Sequence, residues 1–465
     1  MQLPILSGIR ANEQAEFVQS YPLNLEPIAL DNGISKGQLR ATAGAVQIGT
    51  GPGIDRGAIN WRDRCFRVMG TKLVQVNADG SHVVIGDVGG EGPVRFDYSF
   101  DRLGIRSGNA LWYYDLANLT QVTDVDLGAV VDMMWIDGYW MTTDGDAVVV
   151  TELSDPFQIL PTKYGSVEED PDMVTGLMKV RNEPYWIGRH TIQVGRNVGG
   201  SGFPFTTVRG ATIPFGCVSA TAKAYYAGSF AFVGGPRPSD NGVALLGIYI
   251  ATQGDAAKIS TRAVDDALMA LHDPTSITME TRNYKDEERL FVHLPTETWV
   301  YCGRAGQKTQ TQVWYRASSG DSYRIRNAVA AYGKIICGDS ESAAIGELRE
   351  DVSAHFGSPA QWEFTVGLVY NEGKGGIVHF VELAGLPGRV PHGEDITAFM
   401  SMTRDGETWS VERAIPLGNA GERRKRMRWP SHTKFTNYLG MRFRGVNHAM
   451  PGFARCEADI RPLGA

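Results

Sequence analysis

Apolar positions along most of the chain recur with the two-residue period of strands. The 3.6-residue period of helices is rare. Arg289-Leu290-Phe291-Val292-His293-Leu294 alternates as a half-buried strand should. Seven segments, 64–86, 102–125, 132–153, 176–194, 223–250, 282–316 and 323–348, each contain at least two strand-like runs. In the first, Cys65-Phe66-Arg67-Val68 is followed by the run 72–76, then Asn77-Ala78-Asp79-Gly80, then His82-Val83-Val84-Ile85. In the third, 133–136 turns at Asp137-Gly138 into Tyr139-Trp140-Met141, and Asp144-Gly145 leads to 147–150. Asp-Gly pairs supply the positive φ that two-residue hairpins require. One helix is predicted over 261–271, where Val264, Ala267, Leu268 and Leu271 share a face and Asp265 and Asp266 lie near the positive end of the dipole. His272-Asp273-Pro274 ends it.

The starts of the seven segments lie about 43 residues apart on average, within the ~40–50 residues of a four-stranded propeller blade. One blade cannot bury both of its faces; a closed ring of blades can. The predicted fold class is therefore all-β: a β-propeller of six or seven blades over 40–358, with a large β-sandwich as the alternative. The spacing breaks down beyond Ser358-Pro359. Strand candidates at 363–370, 377–383, 398–403, 408–415, 438–446 and 456–460 predict a C-terminal β-sandwich over 359–465. Residues 1–39, with little regular pattern, are expected to form an extension that wraps the ring or reaches a neighbour.

Composition narrows the function. Glycine is 55 of 465 residues, about 12% against a usual ~7%, as many tight turns demand. The 43% apolar content is enough for a packed core. No run approaches ~18 apolar residues, so no membrane insertion is expected. The start, Met1-Gln2-Leu3-Pro4-Ile5-Leu6, lacks a basic region and a long apolar run, which predicts a chain made in a cytoplasm without a signal peptide. A net charge of −7 argues against coating phosphate backbones. Cys65, Cys217, Cys302, Cys337 and Cys456 are far apart and read as buried free thiols.

The search for chemistry returns little. The nine histidines do not cluster at ligand spacing, and neither a phosphate loop nor a nucleophile elbow is present, so no cofactor, metal or catalytic residue is expected. Gly49-Thr50-Gly51-Pro52-Gly53 reads as a turn, since no helix pattern follows. Glu168-Glu169-Asp170 with Asp172, and Asp286-Glu287-Glu288, could supply paired carboxylates, but such runs read better as solvated turns. Thr403-Arg404-Asp405-Gly406-Glu407-Thr408-Trp409 resembles an Asp-box hairpin with one residue missing between the aspartate and the glycine; Asp boxes are structural turns. Recurrent aromatics (Trp112, Trp135, Trp140, Trp186, Trp314) read as packing between blades. The strongest charge anomaly is Arg423-Arg424-Lys425-Arg426-Met427-Arg428-Trp429, whose alternation fits a strand with one basic and one buried face. Arg413, Arg442 and Arg444 are expected near it. Docking onto an acidic partner is the favoured reading, with a solvated turn or a nucleic-acid contact as alternatives.

Several collinear pieces resemble the packaged-DNA stabilisation protein of short-tailed bacteriophages, the tail hub or nozzle. They are 65–73 with 85–89, Tyr21-Pro22-Leu23-Asn24, Met279-Glu280-Thr281-Arg282, 291–295, 337–348, 401–409, the basic stretch 423–428, and 439–444. The resemblance implies a virion protein of the short tail, assembled in the host cytoplasm. It implies a sixfold ring of this chain below the portal and its head-to-tail adaptor, receiving the tail needle and helping to hold tailspikes or tail fibres. Double-stranded DNA would pass through the lumen without sequence-specific binding. The match departs in the loops and at 49–53. A glycan-processing, sialidase-like propeller and a monomeric glycan-binding module are the alternatives.

Overall fold

The structure, a computed structural model, describes residues 1–6, 8–11, 17–29, 37–153, 155–165, 172–239, 245–284, 287–394 and 396–463. Seven antiparallel sheets follow one another along the chain as the blades of a propeller. Their innermost strands are Asp55–Trp61, Arg95–Tyr98, Asp132–Ile136, Val174–Val180, Lys223–Tyr226, Thr278–Tyr284 and Ile325–Ala331, in the order of blades 1 to 7. Each of the seven segments marked by alternation falls in its own blade, so of six or seven blades the described residues form seven.

The hairpins explain why the meanders form. In blade 3, Asp137 (φ 51°) and Gly138 (φ 89°) join paired Ile136 and Tyr139, the left-handed pair of a type I′ turn. Arg62-Asp63, Arg181-Asn182, Ala227-Gly228 and Tyr332-Gly333 adopt the same geometry between the first two strands of blades 1, 4, 5 and 7. Bulky residues fill the seams between blades. Trp140 of blade 3 lies 5.0 Å from Tyr113 of blade 2, across Gly104, where a Cβ would sit 2.3 Å from the indole. Tyr185 meets Phe230 at 5.3 Å between blades 4 and 5. The recurrent aromatics thus pack blade against blade.

The ring closes through a distant strand. Gly44–Thr50 is the outermost strand of blade 7, pairing antiparallel with Ala344–Arg349. The glycine-rich stretch after it leads into blade 1 as a turn, although Gly49 itself is in the closing strand. The predicted helix is Arg262–Met269, with Val264 and Leu268 buried. A second short helix, Gly303–Thr309, has no apolar periodicity and was not expected.

The C-terminal strands form two sheets around a separate core containing Trp362, Phe364, Trp429, Phe443 and Phe453. One sheet runs Ala360–Thr365, Tyr438–Asn447, Thr397–Thr403, Arg413–Pro416. The other runs Leu25–Ala29, Gly37–Ala41, Gly452–Pro462, Gly376–Gly385, Met427–Phe435, with Gln2–Leu3 added to Gly452–Pro462. The N-terminal segment, expected to wrap the ring or reach a neighbour, instead completes this sheet. Leu3, Ile5, Leu25 and Leu39 are buried in the sandwich core, which the C-terminal strands alone would leave uncovered.

Tyr21-Pro22-Leu23-Asn24 clasps the two modules. Leu23 N–H donates to the Glu363 carbonyl at 2.8 Å and Asn24 N–H to the Arg316 carbonyl at 2.8 Å. The buried Asn24 amide donates to the carbonyls of Ser318 (2.8 Å) and Gln361 (2.7 Å). All five cysteines are buried and unpaired. Among the described residues no helix is long and apolar enough to cross a membrane.

Candidate docking surface and channel mouth

Met427–Phe435 begins at the basic run and is an edge strand of its sheet. Met427 and Trp429 point into the core, while Arg426 and Arg428 face outward, the alternation read from the sequence. The arginines are not equivalent. Arg426 forms a fork with Glu382, Nε at 2.8 Å and Nη2 at 2.5 Å. Its guanidinium and that of Arg428 hold the Glu382 carboxyl below its usual range, through the Arg426 hydrogen bonds first. Arg428 lies 3.6 Å over the Phe380 ring. Arg423 donates to the Pro387 carbonyl at 3.0 Å. Arg424 is exposed and Lys425 partly exposed in the preceding turn, and neither has a hydrogen-bond or ion-pair partner among the described residues.

The structure does not bring all eight basic residues together. Arg413 donates to the Pro430 carbonyl at 3.0 Å and so lies beside the basic strand. Arg442 and Arg444 project from the outward face of the other sheet, because Met441 and Phe443 take the inward positions between and beside them. Arg444 pairs with Glu412 (Nη2 at 2.6 Å), and Arg442 stacks 4.6 Å from the Trp409 ring. The sandwich core separates them from Arg426 and Arg428. The strand period thus sets Arg426 and Arg428 on the outward face of one sheet and Arg442 and Arg444 on that of the other, with Arg413 at the edge between them.

The acidic clusters are structural where they are described. Glu168, Glu169, Asp170 and Asp286 lie outside the described residues. Asp172 accepts from the backbone N–H groups of His190 (2.5 Å) and Thr191 (3.0 Å). Glu287 pairs with Arg289 at 2.8 Å, and Glu288 accepts from Ala227 N–H at 2.7 Å. In the Asp-box-like hairpin, Asp405 accepts from the N–H groups of Glu407 (3.0 Å) and Thr408 (2.8 Å) and from the hydroxyls of Thr403 and Thr408. Those bonds, the Thr408 hydroxyl first, hold its carboxyl well below the usual range.

Sequence reasoning missed a charged cavity at the centre of the propeller. The N-terminal ends of the innermost strands converge on the propeller axis around a cavity of about 400 Å³. Three carboxylates there are each held by a cation. Asp55 takes Arg67 Nε at 2.8 Å with both side chains fully buried. Asp132 takes Lys223 Nζ at 2.7 Å, again buried. Glu280 binds Arg282 and lies 3.0 Å from His293 Nε2. Burial opposes the charge on Glu280, but Arg282 and His293 outweigh it and keep the carboxyl ionised. Burial, with Arg326 nearby, depresses His293 to about 3. The ring is then neutral, with Nε2–H donating to Glu280 and Nδ1 accepting from Thr298 Oγ1 at 2.9 Å. Removing one member of such a pair strands a buried charge, at a cost of about 3–5 kcal/mol. The signal was present in the sequence only as single charged residues, such as Arg67, inside otherwise apolar strands.

A family model described as Bacteriophage P22 Gp10, beta-propeller, matches residues 1–353, and its companion, Bacteriophage P22 Gp10, beta-sandwich, matches 361–461. The chain belongs to the bacteriophage P22 Gp10 family. Within the Gp10 family, it is 23% identical over 486 residues to the tail hub protein gp10 of Salmonella phage P22, with 99% of each chain covered. Among solved structures, it is similar to the Pan2 WD40 domain of Neurospora crassa (TM-score 0.42, 9% identity, 65% of this chain and 94% of that one). It is also similar to PorZ of Porphyromonas gingivalis (TM-score 0.38, 11% identity, 81% and 46%). The Gp10 propeller model begins at residue 1, whereas in space the strands at 2–3, 25–29 and 37–41 belong to the sandwich sheet.

Proposed function

We propose that this chain is a structural protein of a phage tail and, more finely, its tail hub. In this reading, copies of the chain form a sixfold ring that extends the portal–adaptor channel, retains packaged DNA, and docks the tail needle and tailspikes. The observation that carries the reading is the end-to-end match to a tail hub protein, with propeller and sandwich in the same order. Two structural features support a mechanical role. The polypeptide clasps propeller to sandwich with buried backbone and Asn24 bonds, which suits a part that transmits load rather than one that opens. The three carboxylates of the channel mouth are committed to cations, so none is poised as a general acid or base. A net charge of −7 leaves the chain as a whole without the positive balance that makes a duplex adhere.

The test is assembly. The purified chain is mixed with portal–adaptor complex, and the mass is followed by light scattering and negative-stain imaging. Six copies per complex, seated as a ring on the adaptor, are expected even where the chain alone is monomeric. A chain that stays free, or that releases sugar from host polysaccharide, overturns the reading.

A further inference from the structure

The channel mouth carries more positive charge than its carboxylates neutralise. Arg56, Arg67, Arg95, Arg106, Lys223, Arg282 and Arg326 stand against Asp55, Asp132 and Glu280. Once the three pairs are formed, Arg56, Arg95, Arg106 and Arg326 remain, all lining the cavity. Their donors are unevenly used. Arg56 uses four of its five N–H groups on the carbonyls of Gly70, Gly89 and Gly92 and on Ser107, and so acts chiefly as a fixed charge. Arg106 donates to the carbonyls of Val130 (3.2 Å) and Pro93 (3.3 Å) and, among the described residues, meets no carboxylate within ion-pair distance. The buried Arg95 Nε reaches Asp132 only at 3.9 Å and makes no hydrogen bond, while its Nη2 donates to Met178 Sδ at 3.7 Å. Arg326 has no hydrogen-bond or ion-pair partner among the described residues.

We infer that this mouth is a binding site for a phosphate group, held by Arg326, Arg106 and Arg95. A guanidinium needs acceptor oxygens, and the unused donors come from blades 2 and 7, the two neighbours of blade 1. A tetrahedral group with oxygens in several directions satisfies them together, whereas a carboxylate offers two oxygens in one plane. Arg56 adds charge without competing for acceptors; Glu91 is the additional acid that acts on it, and it is not part of the lining. Burial in the cavity is costly to three of its cations. Burial depresses Arg56 and Arg106, and it brings Arg326 down to about 10, with Arg282 adding to the effect against Glu280. A bound anion relieves that cost.

The test is calorimetric titration of the full chain at constant ionic strength, with inorganic phosphate, sodium acetate and a short single-stranded oligonucleotide in separate arms. Saturable one-to-one binding of phosphate, at least tenfold weaker in Arg326→Gln and in Arg106→Gln, is expected. Arg326 is unpartnered, so its variant should fold, and it should melt higher than the wild type in phosphate-free buffer. Competition by the oligonucleotide would assign the phosphate to a nucleic-acid backbone; binding of inorganic phosphate alone would assign it to a free anion. Either result supports a phosphate site. No saturable heat with any phosphate, equal binding of acetate, or unchanged affinity in both variants overturns it.

Discussion

Two histidines in the propeller are buried in surroundings that forbid their charge. Burial, then Arg326, takes His293 to about 3, and burial, then Arg282 and Arg324, takes His355 to about 4. In an unfolded chain both would titrate near 6.5. Below that pH the unfolded state binds protons that the folded state refuses, so stability must fall as pH drops from 6.5 towards 4. Each histidine contributes a slope of about 1.4 kcal/mol per pH unit once the unfolded form is mostly protonated. Urea denaturation of the full chain at pH 7, 6 and 5 should show this decline, and the double variant His293→Gln, His355→Gln should flatten it. An equal slope in the variant would mean that other groups control acid stability. Neither role was legible from the sequence. His293 sits in an alternating strand and His355 in a linker, and what silences them is contributed by residues remote in the chain, including Arg326, Arg324 and Arg282.

At the scale of elements, the hairpins were legible because their turns are chemically marked, as at Asp137-Gly138 and Asp144-Gly145. Arg62-Asp63 and Arg181-Asn182 adopt the same left-handed turn without glycine; there the pairing of the flanking strands overrides local preference. Ring closure was not legible. Gly44–Thr50 pairs with a strand some 300 residues away, and no local pattern encodes a partner at that distance. Its fit is nevertheless strict. A Cβ on Gly49 would lie 2.0 Å from the carbonyl oxygen of Gly80, in the first blade's hairpin turn, and one on Gly80 (φ 85°) would lie 2.2 Å from the Ile48 carbonyl oxygen. Two backbones therefore touch where the last blade meets the first. Gly49→Ala should cost about 1–3 kcal/mol, read by chemical denaturation. Gly228→Asn is the control: its left-handed position has open space around it and suits asparagine, so its midpoint should stay near wild type. Equal losses in the two variants would show that glycine content, rather than the closing contact, sets the penalty.

At the scale of the whole molecule, the question is which basic residues are available to a partner. The sequence presents Arg423 to Arg428 as one block, but the fold divides it. Arg426 is committed to Glu382, Arg428 rests on Phe380, and Arg423 holds the Pro387 carbonyl. A partner gains little from groups already engaged, since each would first have to give up a charge-assisted bond. Arg424 and Lys425, in the turn at the edge of the sandwich, have no such commitment. Reversing these two charges (Arg424→Glu, Lys425→Glu) should leave the melting temperature unchanged, because surface substitutions away from packed features cost within about 0.5 kcal/mol. The same variant should join portal–adaptor complexes more slowly and with a weaker salt dependence than the wild type, because complementary rim charge acts mainly on encounter. Arg426→Glu supplies the contrast. It sets two like charges together at Glu382, so it should lower stability whether or not the surface docks anything. If the turn variant assembles at the wild-type rate across the salt range, the basic run is a solvated turn, and the docking face must be sought elsewhere on the sandwich or on the outer edges of the blades.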